Sequence, residues 1–260
     1  MQKLNHIDNG KEFDCGLASK DYAKYRDIYP AEFYQKLVDL GLCIKGQFVL
    51  DLGTGVLPRN MYPFGTKFVG VDISENQIKQ AIELSKSSGL DIDYIVVSAE
   101  TFYFPDKTFD VVTACQCFMY FDKAVALPKI HRVLKENGHF VLLFMAWLPF
   151  EDEIAKTSED MVLKYNPAWT GGRLKRYELE TPKWLEDLFK VANASTFDIK
   201  VPFTRETWHG RMKACRGIGA SSLSKEKIAA WEKEHKSYMK TLPETFHILH
   251  YATVLDLQAK

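Results

Sequence analysis

Two short stretches carry the residues best placed to do chemistry. Phe48-Val-Leu-Asp-Leu-Gly-Thr-Gly-Val-Leu57 drives an apolar run into Gly53-Thr54-Gly55, and Phe68-Val-Gly-Val-Asp72 ends a second apolar run on a carboxylate. In a parallel α/β sheet, this is one strand entering a tight glycine turn beside a strand that ends in an acid. Glycines let backbone approach a ligand closely, and a strand-end carboxylate can accept both hydroxyls of a ribose. The pair points to a cofactor that contains adenosine. The competing job for Asp72 is to cap the helix that begins near Ser74, since acids suit helix N-termini.

The spacing narrows the choice of cofactor. A dinucleotide fingerprint needs a third glycine three residues after the second, where the helix packs on its strand. That position is Pro58, which can start a helix but forms no pyrophosphate cradle. This counts against an NAD-dependent oxidoreductase, the main enzymatic rival.

The run Val49-Leu-Asp51-Leu-Gly53-Thr-Gly55 resembles the first motif of class I S-adenosylmethionine-dependent methyltransferases, with Leu57 where that family writes a further glycine. Val69-Gly-Val-Asp72-Ile73-Ser74 resembles the family's second strand and its ribose-binding acid. Ser98-Ala99-Glu100, followed by Phe104-Pro105-Asp106, resembles the segment that faces the adenine. Thr108 to Gln116 resembles the fourth strand, and Ile130 to Leu142 the fifth-strand motif with its glycine turn. The resemblance spans residues 48–146, with each motif weak alone and the ordered set strong.

The resemblance implies S-adenosyl-L-methionine as cofactor, held by Asp51, Gly53, Thr54, Gly55, Asp72, Ile73, Ser98, Ala99, Glu100 and Gln116. Gln116 and Tyr120 lie at the exit of the fourth strand, where the methyl group is expected, and Tyr120 is a catalytic candidate. Asp21 to Pro30 partly matches a Tyr-x-x-x-Arg-Pro-x-Tyr-Pro segment that folds over the cofactor in related enzymes, which nominates Tyr22 and Arg26. Their alternative is an N-terminal helix that only packs.

Composition excludes several classes. At 260 residues the chain is long enough for one domain with insertions, and 46% hydrophobic residues suffice for a core. Lys+Arg and Asp+Glu both total 34, so no global basic field exists for nucleic acid. Arg205, Arg211, Lys213 and Arg216 leave room only for a local patch. The N-terminus lacks the apolar core of a signal peptide, and the run from Phe140 to Phe150 is too short to span a bilayer. Five cysteines at irregular spacing suggest no disulfide framework, so a reduced cytoplasmic setting is expected. Cys115 and Cys117 form a C-x-C pair, but no second cluster completes a metal site.

The elements that must position these residues follow from periodicity. Strands are expected near 47–52, 67–72, 92–97, 109–115 and 139–146, with helices over 30–42, 74–89 and 122–136. Residues 150–180 read as an inserted segment, with a helix after Thr181-Pro182, a sixth strand over 196–201, helices within 205–243 and a last strand over 246–257. The expected fold is α/β, a doubly wound, mostly parallel seven-stranded sheet of the Rossmann-like methyltransferase type with a helical cap insertion. It is expected as a single domain over 1–260, with a cofactor-binding core at 30–147 and substrate-cap insertions at 148–180 and 205–243.

The acceptor of the methyl group is unassigned, and charge balance favours a small molecule. The segment from Arg205 to Gly219 mixes aromatic, basic and glycine residues, unlike the clean apolar stripe of a purely packing helix. Trp208 and Trp147 are candidate pocket walls, and Arg211 a candidate for a polar or anionic acceptor. His209 is the local candidate for proton transfer, because histidine titrates near neutrality. A helix that merely covers a sheet edge is the competing reading. A protein that binds the cofactor without turnover is the non-enzymatic rival.

Overall fold

The computed structural model describes residues 2–176 and 185–260, apart from the side chain of Tyr22. The chain divides into two compact units. A sheet unit comprises Tyr29–Met145, Glu178–Phe197 and Ala252–Lys260, and a helical unit comprises Met1–Ile28, Ala146–Tyr177 and Asp198–Tyr251.

Seven strands form one sheet: β1 (Phe48–Leu52), β2 (Lys67–Asp72), β3 (Asp93–Val96), β4 (Phe109–Cys115), β5 (Leu134–Trp147), β6 (Phe189–Thr204) and β7 (Thr245–Ala259). Their order is β3-β2-β1-β4-β5-β7-β6. The pairings from β3 through β5 are all parallel. β7 runs against β5: as β5 advances past His139 toward Leu148, the partner positions retreat from Asp256 to Leu249.

The central strands are apolar on both faces because helices cover both. Val49, Leu50, Val111, Val112, Phe140 and Val141 are all 0% exposed. The order reverses at β1, where the next strand lies on one side and β4 on the other. Such a switch point opens a crevice beyond the carboxyl ends of the strands. The glycine turn and Asp72 both sit at those ends.

Helices form where caps and apolar stripes coincide. They are α1 (Ser19–Tyr25), α2 (Ala31–Asp39), α3 (Leu57–Met61), α4 (Glu75–Ser87), α5 (Lys123–Val133), α6 (Glu153–Tyr165), α7 (Arg205–Lys213) and α8 (Lys225–Met239). Pro58 stands in the first turn of α3, where its missing N–H costs nothing. Ser74 caps α4 by accepting from the Gln77 amide, and Asp122 caps α5 by accepting from that of Ala124. α7 begins with a reciprocal capping box between Thr204 and Thr207.

Three expectations needed revision. Residues 150–180 hold the helix α6, started by Asp152, which accepts from the Ala155 amide. The sixth strand runs from Phe189 to Thr204, well beyond 196–201. β5 starts at Leu134 rather than 139, because the chain passes straight from α5 into strand; Asn137 then turns left-handed at φ +60° and the β4 ladder resumes at His139. The helix expected after Thr181-Pro182 starts outside the described residues.

Gly70 in β2 is reserved by packing. A Cβ there would lie 2.4 Å from Thr54 Oγ1 and 2.8 Å from Tyr94 Cδ1. Thr54, immediately after Gly53, therefore sits across the face of β2. Gly70→Ala is expected to lower unfolding stability by about 1–3 kcal/mol through overpacking, with little change in denaturant slope. Urea titration checks this, and an unchanged midpoint would mean that the glycine turn can shift.

Candidate active site

The sheet unit gathers the glycine turn, Asp72, the 98–100 segment and the exit of β4. Gly53 leaves β1 at φ +65°, in the left-handed region. A Cβ on Gly53 would meet Cys117 Cβ at 2.7 Å and its Sγ at 2.8 Å. The turn is thus glycine for two reasons internal to the protein, backbone sign and packing against the residue after β4. The Cys117 thiol donates to the Leu52 carbonyl at 3.0 Å, which ties β4's exit to the turn. Burial pushes this thiol well above its ordinary range, so it is no thiolate nucleophile.

Asp51 is 2% exposed and accepts from Thr113 Oγ at 2.6 Å. Burial pushes its carboxyl up to about 7, against the pull of the Thr113 and Thr54 hydroxyls and with a small upward push from Asp72. The Thr54 amide donates to the Val71 carbonyl at 2.9 Å, fixing the turn to β2. The Gly55 carbonyl accepts from the Arg59 guanidinium, one turn into α3.

Asp72 ends β2 half-buried, and its Oδ1 accepts from the Ser74 amide at 2.7 Å. Burial pushes it up to about 6, and the Ser74 amide works against that shift. The helix-start role weighed for Asp72 is therefore real. Ile73 beside it is 59% exposed, an apolar side chain at a strand end with water over it.

Ser98 Oγ lies 3.0 Å from Thr101 Oγ1 and accepts from the Glu100 amide at 3.3 Å. Ala99 is buried. Glu100 accepts from the Asp122 amide at 3.0 Å, so this acid braces the start of α5. Gln116 takes φ +64°, unusual for a residue with a side chain, and its amide donates to the Leu143 carbonyl at 2.9 Å. Its side-chain amide donates to the Met145 carbonyl. Left-handed backbone at Gln116 breaks the strand alternation that would align Cys115 with Cys117. Cys115 instead lies 3.7 Å from the Tyr29 hydroxyl. Tyr120 is half-buried in a 3-10 turn, Phe118–Tyr120, at the same exit.

The other nominated residues belong to the helical unit. Tyr22 lies in α1, and its side chain is outside the described residues; Arg26 follows that helix. α1 packs on α7, and α8 packs on α6 and α7. A Cβ on Gly210 would lie 2.4 Å from the Tyr25 ring, so that glycine lets a ring lie flat on α7. This gives a packing cause for part of the 205–219 composition that suggested a cap.

Trp147, Trp208 and Arg211 do come together. Trp208 is 0% exposed, and its ring meets Trp147 edge-on at 5.5 Å. Its Nε1 donates to Ser158 Oγ at 2.9 Å. The Arg211 guanidinium lies 4.7 Å from the Trp147 ring centroid, and Arg211 is 5% exposed.

His209 does not titrate near neutrality, contrary to expectation. Burial, aided by the Lys236 charge, pushes it from 6.5 down to about 4, and the facing groups Glu232, Lys213 and Asp21 change this little. Its Nδ1 lies 2.9 Å from Nδ1 of His235, a fully buried residue pushed down to about 3 by burial and by His209. His235 Nε2 reaches Ser158 Oγ at 3.1 Å, and both imidazoles stack on Trp231. Ser158 gives its own proton to the Ile154 carbonyl, so His235 Nε2 donates and His235 Nδ1 accepts from His209. The sequence showed His209 but not its partner 26 residues later. Arg59, Phe203 and His250 also went unnoticed, because isolated residues carry no spacing signal. Among the described residues, no cluster of His, Cys, Asp and Glu could hold a metal, and no helix is long and apolar enough to cross a membrane.

Comparison with known proteins agrees with this geometry. Residues 50–142 match the family model described as a methyltransferase domain. The chain is 33% identical over 156 residues to the ubiquinone/menaquinone biosynthesis C-methyltransferase UbiE of Pseudoalteromonas translucida, covering 56% of this chain and 61% of that protein. It is 30% identical over 135 residues to an uncharacterized methyltransferase, YcgJ, of Bacillus subtilis, covering 48% of this chain and 52% of the other. An uncharacterized methyltransferase of Schizosaccharomyces pombe is 25% identical over 241 residues, covering 90% of this chain and 89% of its own. The chain thus spans only 52% and 61% of the first two relatives. The solved structure of the Bacillus subtilis YcgJ protein shares the fold, with a TM-score of 0.52 at 18% identity over 89% of this chain and 99% of that one. Fold, motifs and matches agree on a methyltransferase domain over residues 50–142 of this chain.

The buried histidine pair makes a pH prediction. Unfolding exposes both rings, which then take up protons near pH 6.5, while the folded chain resists protonation until about pH 4 for His209 and about pH 3 for His235. Their contribution to stability is intact above pH 6.5 and falls as pH drops below it. Asp51 and Asp72, raised by burial, have the opposite slope. His235→Phe should therefore flatten the acid loss of stability between pH 6.5 and 4 relative to wild type, read by denaturant titration at each pH. An identical slope would show that the pair is already protonated in the folded state.

Proposed function

We propose that this chain is an S-adenosylmethionine-dependent methyltransferase acting on a small-molecule acceptor. The observation that carries this is the left-handed Gly53 turn beside the half-buried carboxylate of Asp72, at the carboxyl ends of adjacent parallel strands. The residues fit the cofactor. Backbone without side chain leaves β1, a carboxylate suited to paired hydroxyls ends β2, and Ile73 offers an uncovered apolar surface next to it.

Bound there, S-adenosylmethionine supplies an electrophilic methyl group on a positively charged sulfur. Asp72 would hold the ribose hydroxyls, with Ile73 and Ala99 flanking the adenine. Ser98 and Glu100 would shape that pocket from the backbone side, as their side chains are engaged within the fold. Thr54, Gly55 and Gln116 would line the methionine end. Asp51, buried and poised near 7, would turn fully anionic beside the cationic end of the cofactor. Positioning is the principal task, and it can contribute roughly 7–11 kcal/mol in favourable cases.

Within the helical unit, Trp147, Trp208 and Arg211 are the candidates for contact with an acceptor. Tyr120, at the exit of β4, is the sheet unit's candidate for contact with the transferred methyl. His209 is left out of the proton chemistry, because burial holds it neutral and His235 occupies its Nδ1. The irregular spacing of the five cysteines keeps a reduced, cytoplasmic setting as part of this proposal.

Isothermal titration with S-adenosylmethionine tests this directly. Asp72→Ala should weaken binding by about 1.5–3 kcal/mol, the range for a hydrogen bond to a charged group. Because burial puts Asp72 at about 6, wild-type affinity should fall as pH drops through that value, and the variant should lack this component. Equal affinity and equal pH dependence in a folded variant would remove Asp72 from the site.

A further inference from the structure

His250, beside Trp147 and Phe203 in the helical unit, leaves one ring nitrogen unused. It is 1% exposed, stacks on Phe203 at 6.1 Å and meets Trp147 edge-on at 6.2 Å. The two indole N–H groups beside it are satisfied. Trp147 Nε1 donates to Glu159, whose second oxygen accepts from the Arg173 amide at 2.6 Å. Trp208 Nε1 donates to Ser158. His250 Nδ1 lies 2.9 Å from the Ile248 carbonyl oxygen, which can only accept, so Nδ1 carries the proton.

Nε2 of His250 is then a bare lone pair. It is buried from solvent and meets no donor among the described residues. Burial, with the Arg211 and Arg26 charges behind it, holds the ring neutral by pushing it down to about 3. A buried acceptor with no donor costs about 1–3 kcal/mol, and native structures seldom carry that cost without a use for it.

We propose that His250 Nε2, framed by Trp147, Phe203 and the Arg211 guanidinium, is the hydrogen-bond acceptor of a subsite for a small anionic molecule bearing a hydroxyl, a hydroxy acid. The hydroxyl donates to Nε2. The carboxylate answers the positive potential that Arg211 and Arg26 impose on this ring. Trp147 and Phe203 supply apolar walls for the carbon skeleton. The inference deepens the methyltransferase reading, on which it rests for naming the bound molecule the methyl acceptor.

The test combines stability with ligand binding. His250→Phe keeps the ring and its stacking but removes the lone pair. If Nε2 exists for a ligand, this variant should melt at or above the wild-type temperature. If His250 is structural, it should melt clearly lower. The probes are glycolate, 2-hydroxybenzoate and 4-hydroxybenzoate, each paired with its O-methyl ether, and 15N resonances of the imidazole report on Nε2. At least one hydroxy acid should move the His250 Nε2 resonance and bind tenfold or more tightly than its ether. His250→Phe should lose that preference, and His250→Gln, whose amide oxygen reaches toward the Nε2 position, should recover part of it. No shift at Nε2 with any probe, or equal binding by wild type and His250→Phe, overturns the proposal. S-adenosylmethionine titration of the same proteins separates the two readings. Loss of binding in wild type defeats the methyltransferase reading whatever His250 does, and retained binding without hydroxy-acid discrimination defeats this inference alone.

Discussion

The site depends on one constraint, the left-handed backbone at Gly53. Its φ of +65° turns the chain sharply at the end of β1, and Cys117 fills the space where a side chain would sit. From that contact the neighbouring choices follow. Cys117 donates to the Leu52 carbonyl, so the exit of β4 is locked to β1. Gln116, one residue earlier, takes the uncommon left-handed conformation that swings Cys117 into place. Thr54 lands across Gly70, which must lack a side chain. Packing among the strands therefore makes the glycine turn.

The helical unit rests on different physics. Its interior is a polar network kept neutral by burial, running from His209 through His235 and Ser158 to Trp208. Each member has a defined donor or acceptor role, which rigidifies α6, α7 and α8 as a set. Charge sits at its margin, where Arg211 lies over Trp147 and Lys213 pairs with Glu232 at 2.8 Å. Beside this network, the Nε2 lone pair of His250 is buried without a donor among the described residues.

The sheet unit was largely legible in the sequence because its signals are local. Apolar runs ending on Gly53 and Asp72 announce strand ends, and Ser74 and Asp122 announce helix starts at the positions observed. The rest was hidden for physical reasons. α6 was masked by Asn166-Pro167 and Gly171-Gly172 beyond its end, while its cap Asp152 sits among other acids. β6 alternates buried and exposed residues only in its second half, so its first half carries no period. The His209–His235 pair joins two helices, and nothing in the spacing of 26 residues encodes a contact. The glycine in α7 contributed to the reading of a cap, and the Tyr25 ring lying on it gives that glycine a packing cause.

Hydrogen–deuterium exchange with and without S-adenosylmethionine measures the central claim most directly, because it reads every backbone amide without an assumed acceptor. The expected result is slowed exchange at three separate places in the sheet unit: the turn at 53–56, the strand end at 72–75 and the segment at 98–101. Unchanged exchange at all three, with the cofactor present at high concentration, would contradict the assignment of this turn as its binding site.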